Sequence, residues 1–392
     1  MSFPKMKLGE CAEIHSGSTP RTNNPDFWDG DITWVTPKDL SKLKSKFISK
    51  TESKITQLGF DSCSTKLLPE NSVLFSSRAP IGHVAINTIP MCTNQGFKSF
   101  VPKADLLDSQ YLYYWLTANK EYLQDLGVGA TFKEISKTVI ANVEIPLPPL
   151  AEQRRIASIL DQADELRQKR QQTIEKLDQL LQATFIDMFG DPEQNPKKWN
   201  KVILGDICDA KDRVNYGVVQ PGNDFEGGIP LIRVGDIDGG ILSFTSIKTI
   251  DPEIEKDYSR SRLKGNEILV SCVGSIGTIA KVPNKAIGFN IARAITRVPL
   301  QDKRIINFVA ECLKTEAIQN YFKKNTRTVS QPTLNVSFVK ETEIIFPNEE
   351  KILDFCKIVD KVEFQKELLQ KALVMQESLF QSLQNQAFNG TL

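Results

Sequence analysis

ENSVLFSSRAPIGHVA, residues 70–85, returns as GNEILVSCVGSIGTIA, residues 265–280. Other segments keep nearly the same offset: LGECAEI from Leu8 recurs as LGDICDA from Leu204, and Phe100-Val-Pro answers Arg297-Val-Pro. An internal repeat fixes architecture before any local assignment is made. The offset is close to half of the 392 residues, so the chain reads as two copies of one unit in tandem, each a mixed globular part followed by a long helical part.

Within each globular part, short β-rich runs such as ENSVLFSSR, HVAIN, NEILVSCV and AITRVP alternate with Gly, Pro and Asn turn signals, which predicts the strands of a small sheet. Between them, SQYLYYWLTANKEYLQDLG from Ser109 and NFVAECLKTEAIQNYFKK from Asn307 carry apolar residues at helical spacing. The pattern is α+β rather than alternating βαβ.

After Pro146-Leu-Pro-Pro149 the character changes, because the diproline breaks the preceding strand and sets up a helix start. A three-four spacing then predicts a seam through Ile159, Ala163, Leu166, Leu177 and Leu180. In the second copy, opened by Pro347, the seam runs through Ile352, Val359, Val362, Leu369, Leu373 and Leu383. Arg170 intrudes on the first seam, so this charged, narrow-faced helix needs a long partner, and its own repeat is the natural one. At about 1.5 Å per residue, roughly 37 helical residues reach ~55 Å. The turn-rich FGDPEQNPKKW, residues 189–199, ends the first helix. The expected divisions are a first globular domain over 1–149, a long helix over 150–190, a second globular domain over 191–346 and a second long helix over 347–392.

With 49 Lys+Arg against 48 Asp+Glu, the formal net charge is +1, so any affinity for a polyanion must come from local clusters or a charged partner. The opening MSFPKMKLGE has no signal-peptide core and no uncharged apolar run approaches the ~18 residues of a membrane span, which predicts a cytoplasmic protein with no membrane partner. The seven cysteines are scattered and never form CxxC, so reduced thiols are expected rather than disulfides or structural zinc. His15 and His83, the only histidines, have no partner at ligand or triad spacing, and no GxxxxGK[ST] phosphate cradle exists. Asn24-Pro-Asp-Phe27 lacks the second proline and the Gly-rich cofactor loop of an amino-methyltransferase. Asp26 with Glu52-Ser-Lys54 has the residue types of a nuclease core, but in loop-like surroundings. No catalytic residue and no metal site is predicted, and no cofactor is expected to bind this chain.

Basic residues beside Gly, Ser, Thr and Asn in turn segments are the candidates for DNA contact, since Lys and Arg neutralise phosphates and Arg reads base edges. They are Arg21, Lys38, Arg78, Lys98 and Lys133 in the first copy, and Arg213, Arg233, Arg262, Arg293 and Arg297 in the second. A duplicated module on a long helical spacer, without catalytic apparatus, suits a two-headed recognition device on pseudo-twofold duplex DNA.

EIPLPPLAEQRRIASILDQADEL (144–166), GATFKEIS (129–136), TNQGF (93–97) and the terminal QAFNGTL (386–392) together resemble the DNA-specificity subunits of Type I restriction-modification systems, over essentially the whole chain. The resemblance implies that the globular parts are target-recognition domains and that the helices form an antiparallel coiled coil. It implies a bipartite double-stranded DNA target in a bacterial or archaeal cytoplasm. It also implies two modification subunits that methylate adenine with S-adenosylmethionine, and restriction subunits that use ATP and Mg. Two departures stand out: the second helix start, IIFPNEEKILDFC, lacks the diproline and AEQRR, and Asn290-Ile-Ala-Arg293 replaces Asn94-Gln-Gly-Phe97. The competing readings are a free-standing DNA nuclease or methyltransferase, which would need a complete catalytic motif, and a duplicated protein-binding scaffold, for which the basic loops would be dispensable.

Overall fold

The computed structural model describes residues 3–129, 133–327 and 332–392. Part of the GATFKEIS stretch, residues 130–132, lies outside them. The chain forms two α/β domains and two long helices, Leu150–Phe189 and Glu349–Asn389. Two compact units result: Met1–Gln171 with Lys371–Leu392, and Gln172–Gln370.

In the first unit a five-stranded sheet runs in the order Ala12–Ser16, Lys98–Pro102, Val73–Phe75, Val84–Asn87, Phe47–Ile48. A three-stranded sheet orders Ser53–Ile55, Trp28–Val35, Cys92–Thr93. The second unit has a four-stranded sheet, Asn215–Tyr216, Ile295–Pro299, Glu267–Ser271, Ile279–Lys281, and a three-stranded one, Lys248–Ile250, Ile229–Ile232, Asn290–Ile291. The quoted repeat is the same hairpin in both: Leu74 pairs with Ala85 as Leu269 pairs with Ala280. Even the buckle at its tip is duplicated. Ser76 Oγ donates to the Pro80 carbonyl at 2.8 Å and accepts from the His83 N–H at 2.8 Å; Ser271 Oγ donates to the Ser275 carbonyl and accepts from the Thr278 N–H at 2.9 Å.

The helix that follows each sheet packs an apolar face inward, through Tyr111, Leu112 and Trp115 in Ser109–Ala118 and through Phe308, Val309 and Cys312 in Ile306–Lys314. Each long helix starts on that core. Ile156, Ala157 and Leu160 are buried in the first unit, and Ile352, Phe355, Cys356 and Val359 in the second. The two long helices pack together. In the first unit Leu160 shares a core with Phe380 and Ala387, and in the second Phe185 and Phe189 share one with Phe355, so the helices run antiparallel.

The seam in the first helix is rotated from the predicted one. Leu166 and Leu180 are 58% and 51% exposed, and Ile159, Ala163 and Leu177 are half-buried, while Ile156, Leu160, Ile174, Leu181 and Phe185 are buried. The cause is Asp164, a carboxylate on the buried face: its oxygens accept from Arg167 and Gln168, each at 2.7 Å, and Arg167 lies 4.8 Å over the Phe380 ring. Polar residues on the true seam shift the apparent apolar stripe by one residue, or about 100°. In the second helix Ile352 and Val359 are buried, and Val362, Leu369, Leu373 and Leu383 are half-buried.

Gln153 explains the AEQRR stretch. It is fully buried; its Nε2 donates to the Leu106 and Pro148 carbonyls and its Oε1 accepts from the Asp108 N–H, all at 2.8 Å. Ile352 is its apolar counterpart in the second copy. Gln153→Leu leaves three buried backbone groups without this partner. The expected cost is ~2 kcal/mol, a lower chemical-denaturation midpoint; an unchanged midpoint would refute the assignment. All seven cysteines are free, and no helix among the described residues is long and apolar enough to cross a membrane.

Candidate nucleic-acid interface

In each head, the polypeptide leaves its first sheet strand across a loop that only glycine permits. A Cβ on Gly17 would lie 1.9 Å from the Asn94 carbonyl oxygen, and one on Gly217 would lie 1.7 Å from that of Ile291. The crossing is closed by Ser18 N–H to the Thr93 carbonyl at 3.0 Å and Val218 N–H to the Ile291 carbonyl at 2.8 Å. TNQGF and NIARA thus occupy the same place in the two copies. The outgoing loop of the first unit carries Arg21, beside Asn23, Asn24 and Phe27, and in the second unit Arg293 is exposed on the underlying loop.

The predicted cations fall into three groups. Arg21, Lys133, Arg213 and Arg293 are exposed, and no side-chain hydrogen bond or ion pair holds them among the described residues. Lys38, Arg78, Arg233 and Arg262 reach solvent but are engaged. Lys38 sits 3.1 Å from Glu52, whose carboxyl is held below its ordinary range by Lys42 and then by Lys38. Arg78 is 3.7 Å from Glu134. Arg233 is paired with Asp236 at 3.0 Å and donates to the Ser246 carbonyl at 2.9 Å. Arg262 Nε donates to the buried Glu255 at 3.0 Å, a hydrogen bond that raises the guanidinium pKa above its ordinary value.

Lys98 and Arg297 form the third group, and the structure removes both from any surface. Lys98 is 6% exposed, its ammonium 3.0 Å from Glu134. Arg297 is 0% exposed: its Nε donates to Glu267 at 3.0 Å and its Nη1 to Asp212 at 2.6 Å. Burial pushes the Asp212 carboxyl up, but the hydrogen bonds from Arg297 and Lys264 outweigh it and hold the group below its ordinary 3.8. A carboxylate arriving from a distant segment makes burial of a long cation tolerable.

The buried cluster leaves its neighbours free. Asn215 Nδ2 donates to the carbonyls of both Arg213 and Arg260, at 3.0 and 3.2 Å, so these two exposed arginines stand side by side. The nearest sequence carboxylate, Asp212, is spent on Arg297 and Lys264. Free guanidinium groups can donate to phosphate oxygens and to guanine edges. Nothing in the sequence signals that Arg260 stands beside Arg213. Among the described residues no group of three His, Cys, Asp or Glu side chains could hold a metal.

Two duplicated α/β heads on paired helices, with Arg21 exposed in one and Arg213, Arg260 and Arg293 in the other, define a class of duplicated two-headed subunit. The family described as Type I restriction modification DNA specificity domain matches twice, over residues 2–176 and 196–373. The chain belongs to this family and is the specificity subunit, the non-catalytic subunit for DNA target recognition, of a Type I restriction-modification system. It is 32% identical to the Type I restriction enzyme MjaIX specificity subunit of Methanocaldococcus jannaschii over 90% of this chain and 85% of that one. It is 29% identical to the EcoBI specificity subunit of Escherichia coli, over 77% and 70%. The crystal structure of the Type I S subunit from M. genitalium superposes with a TM-score of 0.55 at 16% identity, covering 99% of this chain and 96% of that one.

Proposed function

We propose that each head, 1–149 and 191–346, reads one half of a split double-stranded DNA target, and that the helices 150–190 and 347–392 hold the halves at a fixed separation. Two modification subunits dock on this chain and methylate adenine with S-adenosylmethionine, and restriction subunits add ATP- and Mg-dependent translocation and cleavage, all in the cytoplasm. The observation that carries the reading is the duplication of the heads together with carboxylate-free arginines on their loops: Arg21 in one, Arg213, Arg260 and Arg293 in the other. Mapping adenine methylation across the source genome, with the gene intact and deleted, tests it. Loss of methylation at one split motif is the expected result; an unchanged map in a strain whose modification subunit is active would overturn it.

The free arginines give a cleaner mutational test than the paired ones. Arg213→Ala and Arg293→Ala should each weaken binding and lower the slope of log affinity against log salt by about one if the contact is to phosphate. Arg262→Ala would instead strand the buried Glu255 and confuse folding with binding. Unchanged affinity and slope in both free-arginine variants would remove these loops from the interface.

A further inference from the structure

Each head is also tied to its long helix by a lysine-centred polar node at the margin of the apolar core, and the tie is built differently in the two copies. In the first unit, Lys46 leads into the edge strand Phe47–Ile48 and its ammonium bonds Gln110 and Asp161 of the first long helix. Tyr114 donates to the same Asp161 oxygen at 2.5 Å, and the Lys46 side chain is only 13% exposed. In the second unit, Lys281 ends the edge strand Ile279–Lys281 and bonds Asn307 and both oxygens of Glu363, at 2.5 and 2.6 Å. Asn307 donates in turn to Asp360 at 2.6 Å.

Two members of the node are repeat counterparts. Gln110 and Asn307 hold the same position in their head helices, and Asp161 and Asp360 the same position in the long helices, whereas Glu363 aligns with Asp164, which bonds Arg167 and Gln168 and not Lys46. The lysines are not counterparts: Lys281 aligns with Ile86. Yet the Ile86 N–H bonds the Lys46 carbonyl at 2.8 Å, so the first copy delivers its ammonium from the strand next door. Two lysines from unrelated positions meet one shared acceptor, Gln110 and its counterpart Asn307, and each adds a carboxylate of its own long helix, Asp161 in one and Glu363 in the other; common descent of the copies does not supply that convergence. It is what a repeated requirement supplies.

We propose that Lys46 and Lys281 are positioning residues that lock the angle of each head on its helix, and so make the complex discriminate the spacer length of a split DNA target. The inference rests on the DNA reading above. In the first head Gln153 already pins the start of the helix to Leu106 and Asp108; the lysine node adds a hold about two turns further along and so opposes a swing about that start. One base pair more or less moves a half-site by about 3.4 Å and a tenth of a turn, which a locked head cannot follow.

The test uses the chain assembled with its modification subunits, and duplexes carrying the methylated motif at its native spacer and one base pair shorter or longer. In Lys46→Met and Lys281→Met, the preference for the native spacer should fall by about ten-fold, comparable to one mismatched base pair, while Lys46→Arg and Lys281→Arg retain it. Asp161 and Glu363 are about a third exposed (34% and 37%), so neither methionine strands a deeply buried charge and the fold survives. Spacer preference unchanged in both methionine variants, or lost equally in the arginine variants, would overturn the proposal. A DNA-free readout keeps it separate from the DNA reading: the distance distribution between labels at the exposed Glu70 and Gln162 should broaden in Lys46→Met. If the wild-type complex prefers no spacer, the DNA reading fails, and an unbroadened distribution overturns the lock itself.

Discussion

Arg297→Met should destabilise the second unit by about 3–5 kcal/mol, as expected when one partner of a buried ion pair is removed. The guanidinium is the common partner of Asp212 and Glu267, and it is completely buried. Glu267 keeps three backbone donors, from Lys264 at 2.6 Å, Gly265 at 2.7 Å and Asn266 at 2.9 Å, but Asp212 is left with Lys264 alone. The pH dependence follows from the depressed Asp212 pKa. A carboxyl whose folded pKa lies below its unfolded value contributes stability above the unfolded pKa and loses it as pH falls through the folded one. Wild type therefore loses this contribution in acid, whereas the variant's Asp212, raised by burial without its guanidinium, protonates sooner. The gap between the two should be widest near neutrality and narrow as pH falls towards about 4. Urea titrations of both proteins across that range provide the check; a difference under about 1 kcal/mol at neutral pH would mean the cluster is not holding the head together.

Arg297 also shows why a site can be misplaced when a fold is legible. The repeat could be read because both copies keep the strand pattern and the serine-buckled hairpin, features that local physics writes into adjacent residues. The long helices could be read from the diproline and the apolar spacing. Burial of a cation depends instead on what arrives from elsewhere: Asp212 is 85 residues from Arg297, and Glu134 is 36 from Lys98. No turn signal beside either cation announces those carboxylates. Exposed Arg21, Arg213 and Arg293 look the same in sequence as Lys98 and Arg297, and only the partner's position separates them. The alignment Phe100-Val-Pro with Arg297-Val-Pro held a clue, because Phe100 is fully buried in the first unit.

Register along the helices was lost for a related reason, and Phe185→Ala tests the corrected one. Phe185, Phe189, Phe308 and Phe355 form a closed cluster in the second unit, every pair in ring contact at 5.1–6.5 Å. All four are fully buried, with two rings from the first long helix, one from the head and one from the second long helix. Removing the Phe185 ring takes away three ring contacts and opens a cavity that helices fixed at both faces cannot collapse to fill. The expected loss is about 3–5 kcal/mol. One turn back, Leu181 and Leu180 give the sharper comparison, because the two differ by a single residue and share chemistry. Leu181 is 2% exposed and its truncation to alanine should cost about 2–5 kcal/mol, whereas Leu180→Ala, on the exposed face, should stay within ~0.5 kcal/mol. A reversed order would return the seam to the row through Leu166 and Leu180. The expected order fixes the face that each long helix turns towards its partner, and with it the face left open to the other subunits of the complex.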